Sequence, residues 1–249
     1  MIDLKNKVTV ITGGSRGIGE ACVRLFAEAN SSVAFTYKNA GAQSEKLESE
    51  LGGRVKSYRV DMESEKEIFE MVDKTVNDFG KIDILVHNAG IWNDGTLEKM
   101  SLDHWNELIR VNLTSTFLFC KAAAPYMKKN NFGRIILITS TAGQRGEAFH
   151  SHYAASKGGM ISFTKSLAVE LATFNITVNS VAPGWVDTEL NTEIFADADY
   201  KESIRKSIPL GHIATAEEIA GPTLFLASDL AKHITGEILN VNGGSVLCG

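Results

Sequence analysis

The chain has 249 residues, of which 44% are hydrophobic and 22% charged; that is the balance of a soluble globular protein, and one α/β domain accounts for the length. Twenty-five lysines and arginines against 30 aspartates and glutamates leave a formal net charge of −5, which disfavours non-specific binding to nucleic acid or to an anionic membrane. Cys22, Cys120 and Cys248 form neither a CxxC pair nor a zinc pattern, so a reducing, cytoplasmic setting and no metal site are expected. No apolar run approaches the roughly 20 residues that span a bilayer, and the N-terminus lacks the apolar core of a signal peptide.

In chain order, a β-branched run over 8–12 predicts the first strand. It passes directly into Thr12-Gly13-Gly14-Ser15-Arg16-Gly17-Ile18-Gly19, at the head of a helical pattern over 17–30. Gly13, Gly17 and Gly19 have a GxxxGxG spacing rather than the commoner GxGxxG, but the physics is shared. Glycines allow a tight turn and close backbone approach, so amides at the helix N-terminus can hold a pyrophosphate. Ser15, Arg16 and Ile18 are candidate contacts in the same turn. The second strand, 32–37, ends about 20 residues further on, where an acid suits a free ribose hydroxyl and a base suits a 2′-phosphate. No Asp or Glu lies between Glu28 and Glu45, whereas Lys38 follows Tyr37 and Arg16 sits in the glycine turn. NADP(H) is therefore expected over NAD(H).

Beyond this point the pattern alternates: helix 41–51, strand 55–60, helix 64–79, strand 82–87, helix 101–129, strand 134–139, helix 154–173, strand 177–182, helix 215–228 and strand 238–241. Continuous apolar runs such as Ile135-Ile136-Leu137-Ile138 suit strands buried on both faces. The alternation predicts a single-domain α/β fold over 1–249. It is a Rossmann-type, doubly wound parallel sheet of about seven strands with helices on both faces, binding ligands beyond the carboxyl ends of its strands. No Pro-rich or low-complexity linker divides the chain.

Tyr153 and Lys157 lie four residues apart and so share one helical face. Reducing a ketone needs a hydride on carbon and a proton on the developing alkoxide. A tyrosine hydroxyl can give that proton, but with a free pKa of about 10 it needs help near neutrality. A nearby ammonium favours phenolate, and a three-unit shift corresponds to about 4 kcal/mol. Ser140 ends the fifth strand, where its hydroxyl could polarise a carbonyl as an oxyanion-hole donor does.

With Asp61 after the third strand, Asn88-Ala89-Gly90 after the fourth, Asn112, Ser140, Tyr153-xxx-Lys157, Pro183-Gly184 and Ile234-Thr235-Gly236, the sequence resembles the classical short-chain dehydrogenase/reductase family from Lys7 to Gly244. The resemblance implies that Asn112, Ser140, Tyr153 and Lys157 are catalytic, with Asn112 ordering a water that links Lys157 to solvent and Lys157 also holding the nicotinamide ribose. It implies that Asp61 with Met62 meets the adenine and that Asn88 to Gly90 lines the adenosine. Pro183, Gly184, Val186 and Thr188 would cover the nicotinamide. It further implies a mobile substrate lid near 185–212 and a homotetramer, with the segment ending Asn240-Val241-Asn242-Gly243-Gly244 at a subunit edge. Many relatives carry Asn-Asn-Ala-Gly where this chain has His87-Asn88-Ala89-Gly90, and His87 reads as a hydrogen-bonded core residue rather than a catalyst.

Within the family the likeness is to 3-oxoacyl-thioester reductases acting on acyl carrier protein or coenzyme A. Carrier-protein reductases often place an Arg where this chain has Phe174, which weakens the expectation of docking to an acidic carrier, although the basic Lys128 and Lys129 survive nearby. Trp92, Gln144, Glu147, His150 and Trp185 are the pocket candidates, and two tryptophans suit a partly apolar substrate. A polyol, sugar-acid or cyclic-alcohol dehydrogenase is the alternative within the family. A dinucleotide-sensing binding protein is the alternative outside catalysis, but it would be expected to lack the Tyr or the Lys.

Overall fold

The computed structural model describes residues 2–247; Cys248, one of the three cysteines, lies outside them. Seven parallel strands form one sheet in the order β3-β2-β1-β4-β5-β6-β7. They are β1 (Val8–Ile11), β2 (Ser32–Tyr37), β3 (Val55–Arg59), β4 (Ile84–His87), β5 (Gly133–Ile138), β6 (Ile176–Pro183) and β7 (Ile238–Val241). The expected doubly wound α/β fold is what forms. β5 explains why its run is continuously apolar. Ile135 and Leu137 point into one core cluster and Ile136 and Ile138 into the other, so both faces of the strand are covered.

The helices are α1 (Gly17–Glu28), α2 (Gly41–Leu51), α3 (Glu65–Phe79), α4 (Leu102–Ile109), α5 (Ser115–Asn130), α6 (Thr141–Arg145), α7 (Ser151–Leu171), α8 (Thr192–Phe195), α9 (Ala198–Ser207) and α10 (Ala216–Ala227). α1 and α10 flank one face of the sheet, while α3, α5 and α7 flank the other. The strand order reverses between β1 and β4, which opens the crevice where such sheets bind ligands. No helix among the described residues is long and apolar enough to cross a membrane.

Three departures from the sequence pattern bear on the site. The helix expected over 101–129 is two helices joined by a π-turn, Arg110–Thr114. The Ser115 amide bonds the Arg110 carbonyl, one residue further back than an α-helix allows. The Val111 carbonyl that the Ser115 amide leaves accepts the Ser115 hydroxyl at 2.6 Å, and Thr116 Oγ1 donates to Asn112 O at 2.6 Å. α6, for which no strong pattern exists, follows β5 directly. Third, β4 begins at Ile84, later than 82–87 predicts. Just before it the Asp83 amide donates to Val8 O at 2.9 Å, and the Asp83 carboxylate accepts the Val8 amide at 2.8 Å.

Candidate active site

The glycine turn is shaped by contacts that only glycine permits. Gly13 has φ +65°, and its amide donates to Thr36 Oγ1 at 3.1 Å, fixing the turn against β2. A Cβ on Gly19 would run into the Gly13 carbonyl and come within 2.7 Å of the Asn88 side chain. The turn is closed from β4. Asn88 Nδ2 donates to the carbonyls of Thr12 and Gly13, both at 3.2 Å. Thr12 Oγ1 accepts the amides of Asn88 at 3.0 Å and Ala89 at 2.9 Å. The first turn of α1 therefore faces the crevice with Ser15, Arg16, Gly17 and Ile18 at its lip.

Beyond the carboxyl ends of β2 and β3 Lys38 pairs with Asp61 at 3.0 Å. Burial works to raise the pKa of Asp61, but the Glu63 amide and the Lys38 ammonium outweigh it and hold the carboxyl below its ordinary value. Arg16 is exposed, with no ion-pair partner among the described residues. The side chain of Met62 is a core residue, so only its backbone is available to a ligand, and Tyr37 is half-buried at the end of β2.

Beyond the carboxyl ends of β4, β5 and β6 one cavity gathers Asn88, Gly90, Ser140, Tyr153 and Lys157 with the 183–188 loop. α7 starts at Ser151, earlier than the periodicity over 154–173 predicts, so Tyr153 belongs to its first turn. Lys157 is nearly buried, and its ammonium donates to Ile138 O at 2.8 Å. Desolvation lowers its pKa to about 8. Burial raises Tyr153 to about 12, against a hydrogen bond from Ser140 that favours the phenolate. The Lys157 ammonium stands 5.8 Å from the centroid of the Tyr153 ring. Ser140 caps α6, accepting the Ala142 amide at 3.1 Å.

Asn112 sits in the π-turn and is fully buried. Its Oδ1 accepts the Ile91 amide at 2.8 Å, and its Nδ2 donates to Ile91 O at 2.9 Å and to Ser156 Oγ at 3.2 Å. Ser156 Oγ in turn donates to Tyr153 O at 2.8 Å. The Asn112 side chain thus ties the 90–92 loop to the helix bearing Tyr153.

Of the substrate candidates, Trp92, Glu147 and Trp185 line the cavity. Gln144 and His150 are not among its lining residues. Gln144 is turned away, donating to Asn240 Oδ1 at 2.7 Å. The His150 ring stacks on Trp92 at 4.3 Å, behind the wall that Trp92 presents. Arg145, Ile91, Leu190 and Asn191 also line the cavity, and sequence reasoning did not find them. Arg145 ends α6, a helix without a periodic signal; Leu190 and Asn191 are aimed by the 3-10 turn Glu189–Asn191. The 183–188 loop is held at its root. Asp187 N donates to Ala214 O at 2.8 Å and Asn191 Nδ2 to Val186 O at 2.8 Å.

His87, at the end of β4, is fully buried beneath this site. Its Nδ1 lies 3.2 Å from Thr12 Oγ1 and its Nε2 3.1 Å from Ser115 Oγ. Desolvation, with the Lys157 charge nearby, lowers its pKa to about 3. The unfolded histidine titrates near 6.5, so the unfolded chain takes up a proton that the folded chain refuses. This contribution to stability is complete above about pH 6.5 and is lost as pH falls towards 3, at up to about 1.4 kcal/mol per unit. Urea unfolding of the wild type and of His87→Asn through that range should show the variant with the shallower decline. Parallel declines would remove His87 as the cause.

A parallel sheet whose glycine turn, crevice and Ser–Tyr–Lys cluster share one edge defines a dinucleotide-dependent α/β oxidoreductase. The chain belongs to the short-chain dehydrogenase/reductase family. A family model described as "Enoyl-(Acyl carrier protein) reductase" matches residues 13–245. The 3-oxoacyl-[acyl-carrier-protein] reductase FabG of Aquifex aeolicus (strain VF5) is 40% identical over 246 residues, covering 98% of each chain. FabG of Escherichia coli (strain K12) is 41% identical over 244 residues, again 98% of each. The 3-oxoacyl-[acyl-carrier-protein] reductase of Synechocystis sp. (strain ATCC 27184 / PCC 6803 / Kazusa) is 38% identical over 251 residues, 99% of this chain and 100% of that one. Among solved structures, one described as "Crystal structure of gox2181" superposes with a TM-score of 0.93 at 32% identity, covering 98% of this chain and 97% of that chain.

Proposed function

We propose that the protein is an NADP(H)-dependent reductase of 3-oxoacyl thioesters, interconverting a ketone and a secondary alcohol. The observation that carries this reading is the convergence of Ser140, Tyr153 and Lys157 on one cavity beside the glycine turn. The residues present fit a dinucleotide. Gly13 and Gly19 let the turn close against Asn88 and Ala89 with no side chain between them, which leaves the amides of the α1 N-terminus open to a pyrophosphate, and the buried Lys157 ammonium, bonded among the described residues to Ile138 O, keeps further protons for a ribose. Gly13 to Gly19 would hold the pyrophosphate; Arg16, Tyr37, Lys38, Asp61 and Met62 the adenosine end; Asn88 to Gly90, Pro183, Gly184, Val186 and Thr188 the remainder. When bound, NADPH supplies the hydride.

The chain's own residues manage the proton and the carbonyl. Ser140 donates to the substrate oxygen as negative charge grows there. Tyr153, kept as a phenol by its burial, is in the right form to protonate the alkoxide. As that proton leaves, the Lys157 ammonium stabilises the phenolate. Asn112 keeps the 90–92 loop and α7 in register through Ile91 and Ser156. Trp92, Trp185 and Leu190 supply apolar walls for an acyl chain, with a lid near 185–212 closing over it. The enzyme works in the cytoplasm as a homotetramer, without a nucleic-acid or membrane partner; exposed apolar side chains on α5 and α7, Phe117 and Val169, suit subunit contacts. Phe174, half-exposed with the Lys128 ammonium 4.7 Å from its ring centroid, stands where carrier-protein reductases often carry an Arg.

The test is NADPH oxidation against 3-oxoacyl, 2-enoyl and saturated thioesters on both coenzyme A and carrier protein, with sugars and cyclic ketones alongside. Turnover of the 3-oxoacyl thioesters alone supports the reading, and preference for the enoyl thioester or a sugar overturns it. For the cofactor, Lys38→Gln should lower the NADPH-to-NADH ratio of kcat/KM by about tenfold, the loss of one charge-assisted hydrogen bond. Gln is the cleaner probe because an Asp at this position would face Asp61. An unchanged ratio would clear Lys38 of discrimination.

A further inference from the structure

His87 joins the Thr12–Ala89 contact beside the glycine turn to the π-turn, and the hydrogen positions along that connection follow from counting. Thr12 Oγ1 accepts two amides, those of Asn88 and Ala89. Its lone pairs are then used, so its one hydrogen must go to His87 Nδ1. At the far end Ser115 Oγ gives its one hydrogen to Val111 O at 2.6 Å. It must therefore accept from His87 Nε2. Both ends independently require the same imidazole, neutral and protonated on Nε2.

The result is a one-way chain. The Asn88 and Ala89 amides donate to Thr12, Thr12 to His87, His87 to Ser115, and Ser115 to the Val111 carbonyl inside the π-turn that carries Asn112. We propose that His87 is a positioning residue that locks the cofactor-facing loop to that π-turn, and so sets where Asn112 holds Ile91 and the Tyr153 helix. The chemistry demands a bifunctional ring here. One nitrogen must accept and the other donate on opposite sides, across a gap that a shorter side chain does not bridge. The asparagine many relatives carry ends near where the first ring nitrogen stands, so it can serve Thr12 but falls short of Ser115. The inference rests on reading Asn112, Tyr153 and Lys157 as the reacting site, and its first test does not depend on activity.

Nitrogen-15 NMR of the protein labelled at histidine should show His87 with Nδ1 unprotonated and Nε2 protonated, unchanged from roughly pH 5 to 8. The opposite tautomer, or titration within that range, overturns the proposal. Kinetics give the second test. Ser115→Ala should lower kcat roughly tenfold to a hundredfold, as loss of registration does, with the NADPH dissociation constant about unchanged. Ser115→Thr, which keeps the hydroxyl, should recover most of the loss. His87→Asn combined with Ser115→Ala should be no worse than the poorer single variant, because both cut one chain. If Ser115→Ala loses only melting temperature and keeps kcat, His87 is a structural residue and the proposal fails. A correct tautomer in a protein inactive on every carbonyl would instead refute the functional reading while leaving the chain intact.

Discussion

Tyr153→Phe is expected to bind NADPH about as tightly as the wild type and to lose between about a hundred-fold and ten-thousand-fold in turnover, the range that one positioned proton donor supplies. The ring survives, so the packing of α7 and the wall of the cavity are kept. What goes is the single hydroxyl, on a cavity-lining residue, that receives the Ser140 hydrogen bond. Stopped-flow measurement of the chemical step, with binding followed by nicotinamide fluorescence, separates the two effects. Undiminished turnover in this variant would sink the mechanism.

Lys157→Met should separate function from stability still further. In the folded protein the Lys157 pKa falls from 10.5 to about 8. A lysine whose folded pKa lies below its unfolded value opposes folding at every pH below the folded pKa, and the penalty fades as pH rises from about 8 to 10.5. The difference, 10.5 − 8 = 2.5 units, corresponds to about 3 kcal/mol at neutral pH. Loss of the bond to Ile138 O returns about 1 kcal/mol of that. The variant should therefore lose more than a thousand-fold in turnover, while its cofactor-free form melts some 4–8 °C higher. Differential scanning calorimetry at pH 7 decides the matter. A fall in melting temperature would mean that Lys157 supports the fold and that its ammonium is not held at a cost for binding and catalysis.

The alternation of β-branched runs with longer amphipathic ones was enough to foresee the parallel sheet, because a strand covered on both faces has no polar side to show. That Tyr153, Lys157 and Ser140 would meet at one cavity was legible from their spacing: four residues put two of them on one helical face, and a strand end puts the third at the sheet edge. The π-turn was not. Periodicity near 3.6 runs through 101–129 without a break, and an added residue per turn leaves only the hydroxyls of Ser115 and Thr116 as a trace. Side-chain direction at the cavity mouth was equally hidden. Gln144 and Arg145 are neighbours in sequence on a five-residue helix, yet Arg145 lines the cavity and Gln144 bonds Asn240. The Lys38–Asp61 pair leaves no mark in the sequence, because its two members follow the neighbouring strands β2 and β3 and are 23 residues apart.

The contact between α6 and α7 has a consequence for how such an enzyme can change. A Cβ on Gly143 would lie 2.6 Å from the Lys157 carbonyl carbon and 2.7 Å from the Gly158 nitrogen, so the segment after Ser140 and the backbone of Lys157 are pressed together with no side chain between them. Ser140 and Lys157 are thereby fastened to one another through main chain, on the β5 side of the cavity. The residues that close the opposite side, Trp185, Leu190 and Asn191, hang from a loop anchored separately at Ala214. Substitutions there can reshape what enters without disturbing how it reacts. A lineage could exchange substrates by drift at Trp185 and along 189–207 while the Ser140–Lys157 block stays untouched, and laboratory evolution of specificity has its natural target in the same positions.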